Sequence, residues 1–211
     1  KKFYLIFLLS SCFSIFIISI LNQIKEGFYK ENLNNLSELI EDSIKPHCSY
    51  KFNNAVVKEF IIDIPDSRRW SRNLFTIFWK DTKVIEEKYK KRFDANIYLK
   101  KSIDEICKLP AKVRISGDWK PHIQYRNGDI ISSLDVILTK GNINGITKFK
   151  LFLPSQRNGS SEVFVSLFLK EMGYLSPRSR FVKVNLNNQS YEMIFQEKAT
   201  KEMIENNQLR E

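Results

Sequence analysis

The sequence predicts an α+β fold, a mainly antiparallel sheet with helices packed against it. Three observations predict it. From Phe93 onward apolar residues recur at every second position. The apolar runs are separated by short turns rich in Asn and Gly. Stretches with helical spacing interrupt the strand pattern near Trp70, Val163 and Thr200.

The chain has 211 residues, enough for one ordinary domain with some chain to spare. A hydrophobic share of 43% excludes a wholly disordered chain, and only 7 Gly and 6 Pro exclude collagen-like and low-complexity architectures. Three Cys are too few for a disulfide scaffold. Lys and Arg total 34 against 24 Asp and Glu, a net charge of +10, which favours anionic partners without distinguishing lipid headgroups from nucleotide phosphates.

Lys1 and Lys2 precede nineteen uncharged residues, Phe3 to Leu21. As a helix this run spans roughly 28 Å, close to the hydrocarbon thickness of a bilayer. One N-terminal transmembrane helix is therefore expected. A retained signal anchor is the first reading, a cleaved signal peptide the second. A lipoprotein signal at Leu9-Ser10-Ser11-Cys12 is the third, although the apolar run continues past Cys12. Residues after about 22 are placed outside the cytoplasm. There Cys48 and Cys107 can pair, or remain two buried thiols. The chain begins at Lys1 and stops at Glu211 after a helix-like run, so a piece of a longer protein is expected. The organisation read from the sequence is a signal segment (1–22), a membrane-proximal helix or linker (23–54) ended as a helix by Pro46, and a domain (55–211).

Within that domain Ala55 to Ile64 is β-rich. Asp66 and Ser67 are N-cap candidates for a helix through Trp70, Leu74, Phe75 and Phe78. The charged run 85–92 is expected to be solvated, with a phosphate-binding patch as the alternative. Strands follow at 93–99, 111–116, 133–139 and 148–153, with turns at Arg126-Asn127-Gly128-Asp129 and 141–145. Ser160 or Ser161 caps a helix over 162–172, expected to turn Val163, Leu167, Phe164 and Met172 inward and to end at Gly173. Strands 181–186 and 191–196 form a hairpin through Asn187-Asn188, and a last helix starts near Thr200.

Several chemistries lack their motifs. No G-x-x-x-x-G-K-[ST], G-x-G-x-x-G or G-x-S-x-G occurs, and His47 and His122 stand apart from any C-x-x-C or H-E-x-x-H, so a zinc site is not expected. The scattered basic residues and the expected membrane segment argue against nucleic acid as a partner. Two features remain. Lys148 and Lys150 alternate with Phe149, Leu151 and Leu153, so Lys150 points off the apolar face. Glu162 sits in the first turn of the next helix, within plausible reach of Lys150. The bland readings are a solvent-facing Lys and a Glu favoured by the helix dipole. The strand end Arg114-Ile115-Ser116-Gly117-Asp118 can turn backbone N–H groups toward phosphate oxygens, or simply terminate the strand. The three Trp, at 70, 79 and 119, suit either a core or sugar stacking.

RISGDWKPHI (114–123), SSLDVIL (132–138), KFKLFLP (148–154), SEVFVSLFLKEMGYLSPRSRFVKVNLN (161–187) and YEMIFQEKATKEMIENNQLRE (191–211) together resemble the CotH family of spore-coat-type atypical protein kinases. The resemblance covers roughly residues 93–211. It rests on the order of an Arg-bearing strand with a small-residue loop, a Lys-bearing strand, a helix before Gly and Pro, a hairpin and a strand ending in Glu-Lys. It implies a fold like the N-lobe of an atypical kinase, binding of ATP and Mg²⁺, and phosphorylation of Ser or Thr in surface or exported proteins. By position it implies that Lys150 contacts phosphates, Glu162 pairs with it, Arg114 and Gly117 lie at the phosphate-facing loop, and Gln196 and Glu197 sit near the adenine. The family's catalytic and metal-binding Asp residues would follow Glu211, so the 211-residue piece is expected to lack turnover by itself. A non-catalytic envelope or surface assembly scaffold is the alternative.

Overall fold

Alternation of apolar and polar residues puts one face of every strand into a common interior. β1 (Glu59–Asp63) buries Phe60 and Ile62, and β2 (Phe93–Lys100) buries Phe93, Ala95, Ile97 and Leu99. β3 (Ile106–Ile115) buries Cys107, Leu109, Ala111, Val113 and Ile115. β4 (Ile123–Arg126) and β5 (Asp129–Ser132) form a separate hairpin, and β6 (Leu134–Leu138) and β7 (Lys148–Phe152) return to the main sheet. β8 (Ser179–Leu186) and β9 (Gln189–Glu197) complete it. The computed structural model describes residues 44–46, 49–50, 59–100, 106–126 and 128–207. All but Ile44 belong to the unit Lys45–Glu211.

The main sheet closes on itself. Around the ring the order is β3, β2, β1, β8, β9, β7, β6 and back to β3, a barrel of seven strands. Every pairing in the ring is antiparallel except β1 with β8, which run parallel from Lys183↔Glu59 to Leu186↔Ile62. Closure depends on β3, whose ten residues pair with β2 on one edge (Phe93↔Val113) and with β6 on the other (Val113↔Val136). Three rings meet inside: Phe60, Phe149 and Phe195, with centroids 4.9–5.7 Å apart. Closure leaves no unpaired edge among these seven strands.

This corrects the expected α+β layering and the kinase-lobe comparison. The described residues are mostly strand, with three short α-helices: α1 (Ser67–Trp79), α2 (Ser161–Glu171) and α3 (Lys201–Asn206). The interior is shielded by closing the sheet rather than by a helical layer. Alternation specifies which face is buried, and it is the same whether helices or opposite strands cover that face. As for the expected membrane helix, no helix among the described residues is long and apolar enough to cross a membrane. The run 3–21 on which that expectation fell lies outside the described residues.

α1 follows Asp66 and buries Trp70, Leu74 and Ile77, with Trp70 edge-on to Phe93 at 5.3 Å. Phe75 lies on another phase of the helix and is exposed; Phe78 packs at the core's margin. α2 lies outside the barrel, where Val163 joins Phe152 and Ile194 in a small second cluster. Its expected inward residues Phe164, Leu167 and Met172 are instead exposed. Gly173 follows the helix at φ +82°, as a C′ glycine does. Asn187 and Asn188 both adopt positive φ in the β8–β9 turn, and Asn187 Oδ1 accepts the Ile64 N–H at 2.8 Å. The β4–β5 strands were not anticipated, although the turn joining them was. Ile44–Pro46 is extended, where a helix was expected to run up to Pro46. Cys107 is buried and disulfide-bonded, while Cys48 lies outside the described residues.

Candidate functional site

Four outward-facing side chains stand in a row across the barrel wall. Arg114 on β3 opposes Asp135 on β6, Asp135 opposes Lys150 on β7, and Lys150 opposes Gln196 on β9. Their chain neighbours Val113, Val136, Phe149 and Phe195 point inward, so a period of two sets the row outward.

Asp135 is the centre of the row. It is only 2% exposed although it faces out, because cations cover it. Its Oδ2 accepts from Arg114 Nε at 3.1 Å and from Arg92 Nη2 at 3.4 Å, and Lys198 Nζ stands at 3.5 Å. Its Oδ1 is buried with no hydrogen-bond partner among the described residues. Lys150 is half-buried, its ammonium 5.5 Å from the Phe152 ring centroid. Among the described residues no carboxylate lies within ion-pair distance of Lys150. Burial lowers its pKa; Asp135 works against that shift, while Lys198, Arg157 and Arg114 add to it.

Arg114, Asp135 and Lys150 floor a polar cleft of about 210 Å³. Its rim is the turn Ser116-Gly117-Asp118 after β3. Gly117 has φ +98°, and a Cβ there would lie 2.0 Å from His122 Cδ2, so both backbone and space require glycine. His122 Nδ1 lies 3.2 Å from Ser133 Oγ. Burial, then the charges of Arg157 and Lys150, lower the His122 pKa and favour the neutral ring. Beside that turn Lys90 pairs with Asp118 at 2.5 Å and Glu87 at 3.3 Å. The hydrogen bond to Asp118 raises the Lys90 pKa and lowers that of Asp118.

The cleft lining carries three cations, Lys90, Arg114 and Lys150, against Glu87, Asp118 and Asp135. Arg92 and Lys198 stand on Asp135 and tip the balance positive. The two rim carboxylates are largely exposed and screened by solvent; the floor cations are not.

Of the residues expected at a site, Arg114, Gly117 and Lys150 line this one cleft. Glu162 and Gln196 line a neighbouring cleft of about 510 Å³ beside α2. Glu162 does not pair with Lys150. Its Oε1 accepts from Gln196 Nε2 at 2.5 Å, and its Oε2 lies 3.7 Å from Arg157 Nη1. Gln196 therefore stands between the expected partners, as ladder neighbour of one and hydrogen-bond donor to the other. Glu197 belongs to neither cleft. One residue on from Gln196, it turns to the other face and accepts from Arg178 Nε and Nη2 at 2.8 and 2.9 Å.

Asp135 and Lys198 were not anticipated, and Lys90 and Arg92 only within the alternative reading of 85–92 as a phosphate-binding patch. A carboxylate inside the apolar run Leu134–Leu138 was the available signal for Asp135. The run 85–92, expected to be solvated, supplies Lys90 to the rim, Arg92 to Asp135 and Ile85 to the core.

The cleft suits phosphate oxygens: cations on the floor and a glycine without a side chain at the rim. It does not suit Mg²⁺. No group of three or more metal-ligating side chains occurs among the described residues, and Arg92, Arg114 and Lys198 already crowd the Asp135 carboxylate. No protein-family model matches the chain, and no curated protein matches it.

Proposed function

We propose that the Asp135 cleft binds the phosphates of a nucleoside triphosphate, ATP by the CotH resemblance. The intact protein would use it to phosphorylate Ser or Thr of surface or exported proteins. The observation that carries this reading is Lys150, a half-buried ammonium without a carboxylate partner among the described residues. A phosphate anion supplies the charge that would offset the cost of burying it. In this reading Asp135, rather than Glu162, is the carboxylate among the cations: it pairs with Arg114 and Arg92, stands opposite Lys150 on the adjacent strand and competes with the phosphates for their charge. Gly117 lets the chain approach the phosphates without a side chain. ATP, once bound, supplies the transferable phosphoryl group; these residues bind and orient it.

The test is calorimetric titration of the 211-residue chain with ATP, comparing Lys150→Ala and Lys150→Arg. Loss of one unscreened charge contact corresponds to about 1.5–3 kcal/mol, so Lys150→Ala is expected to weaken binding tenfold or more, with partial recovery in Lys150→Arg. Equal affinity in all three proteins removes Lys150 from the reading.

A second reading, a non-catalytic surface-assembly scaffold, is supported by α2. Phe164, 65% exposed, stacks on the exposed Phe168, with Leu167 and Met172 also at the surface. Concentration-dependent association that Phe164→Ser abolishes, without ATP binding, would favour it.

A further inference from the structure

A different cleft, of about 480 Å³, lies between α1 and the β4–β5 hairpin. Its volume falls within the ordinary range for small-molecule sites, roughly 300–1,000 Å³. Aromatic rings form its walls. Trp79 is 69% exposed, and Phe75 and Tyr125 are also largely exposed. Phe75 and Phe78 flank Trp79 with centroids at 6.0 and 5.7 Å, and Phe78 lies 6.4 Å from Tyr125. α1 already buries Trp70, Leu74 and Ile77, so these rings are additional to its core face. Leaving several aromatic rings in water forgoes burial that a ligand can recover.

Two polar groups sharpen the choice of ligand. Arg72 and Asp129 both line the cleft, and neither side chain forms an ion pair or a hydrogen bond among the described residues. Their opposite charges balance, so a ligand need carry no net charge. It must offer acceptors to the guanidinium and donors to the carboxylate. Pyranose hydroxyls do both, and the C–H face of the ring stacks on an aromatic side chain. A proline-rich segment also fits aromatic grooves, but Pro has no N–H, which would leave Asp129 covered and unpaired.

We propose that this cleft binds a neutral hexopyranose unit of an oligosaccharide. Trp79 and Tyr125 are the stacking surfaces, and Arg72 and Asp129 hold the hydroxyls. The site is independent of the cationic cleft and would take a different ligand.

The experiment is saturation-transfer NMR of the 211-residue chain with cellohexaose, maltohexaose and chitohexaose. At least one sugar is expected to bind saturably. Trp79→Ala and Asp129→Asn should each weaken it tenfold or more, with circular dichroism unchanged; Trp119→Ala, at another largely exposed tryptophan, should leave it intact. Asp129→Asn carries the test if Trp79→Ala fails to fold. Absence of saturable binding by all three sugars overturns the proposal. So does binding that survives both cleft variants, or that Trp119→Ala reduces equally. Saturable binding of a decaproline peptide where no sugar binds would reassign the cleft to polyproline segments and likewise overturn it.

Discussion

Arg114 and Asp135 oppose each other across the β3–β6 ladder, and the guanidinium Nε donates to Oδ2 at 3.1 Å while the carboxylate's other oxygen has no partner among the described residues. One buried carboxylate thus gathers Arg114, Arg92 and Lys198 beside Lys150. The arrangement makes stability and anion binding pull in opposite directions.

Asp135→Asn is expected to lower unfolding stability by about 1.5–3 kcal/mol, since charge-assisted hydrogen bonds are lost at a buried site. The same change removes the negative charge beside Lys150, so ATP should bind more tightly, most clearly at low salt. Urea denaturation and titration at two ionic strengths check both signs. Tighter folding, or weaker binding with the fold intact, would contradict the assignment.

Gly117→Ala meets two obstacles, a backbone at φ +98° and the His122 ring 2.0 Å from the new Cβ. A residue forced into such a conformation costs about 1–3 kcal/mol, and displacement of His122 adds to that. Combining it with His122→Ala should relieve only the steric share, leaving the backbone strain. A double-mutant cycle in thermal unfolding separates the two.

Glu202 titrates abnormally low, at about 2 rather than 4.5; the Thr200 hydroxyl and its own backbone N–H stabilise the carboxylate, with help from Lys148. A folded-state pKa below the unfolded value contributes stability above pH 4.5 that is lost as pH falls toward 2. Thermal unfolding between pH 6 and 2 should therefore show a shallower acid limb in Glu202→Gln. Parallel limbs in the two proteins would exclude the contribution.

The adjacent residues Asn187 and Asn188 should respond oppositely to glycine. Asn188 has φ +72°, so Asn188→Gly relieves a left-handed conformation and should gain about 0.5 kcal/mol. Asn187→Gly loses the acceptor for the Ile64 N–H at 2.8 Å and should cost about 1 kcal/mol. Chemical denaturation of the two variants reads the difference in sign.

Much of this was legible in the sequence. Lys150 follows Phe149 on an alternating strand, so its outward direction required no tertiary information. Asn187-Asn188 and Gly173 marked their turns by backbone conformation alone. That Glu162 turns away from Lys150 was not legible, because Gln196 comes from a strand thirty-four residues beyond Glu162 and intercepts its carboxylate. The inward face of α2 was misread for a related reason. Its apolar residues cover more than one face, and only contact with Phe152 and Ile194 selects Val163.

Local periodicity by itself determined most strands of the barrel, the β8–β9 hairpin turn and the outward direction of Arg114, Asp135, Lys150 and Gln196, because side-chain direction follows from the backbone repeat. Tertiary structure alone decided that the sheet closes, that β1 lies parallel to β8, and that a carboxylate on β6 is buried beneath cations from 92, 114 and 198. Those relationships depend on register between segments far apart in the chain. Alternation leaves that register undetermined, and packing inside the barrel selects it.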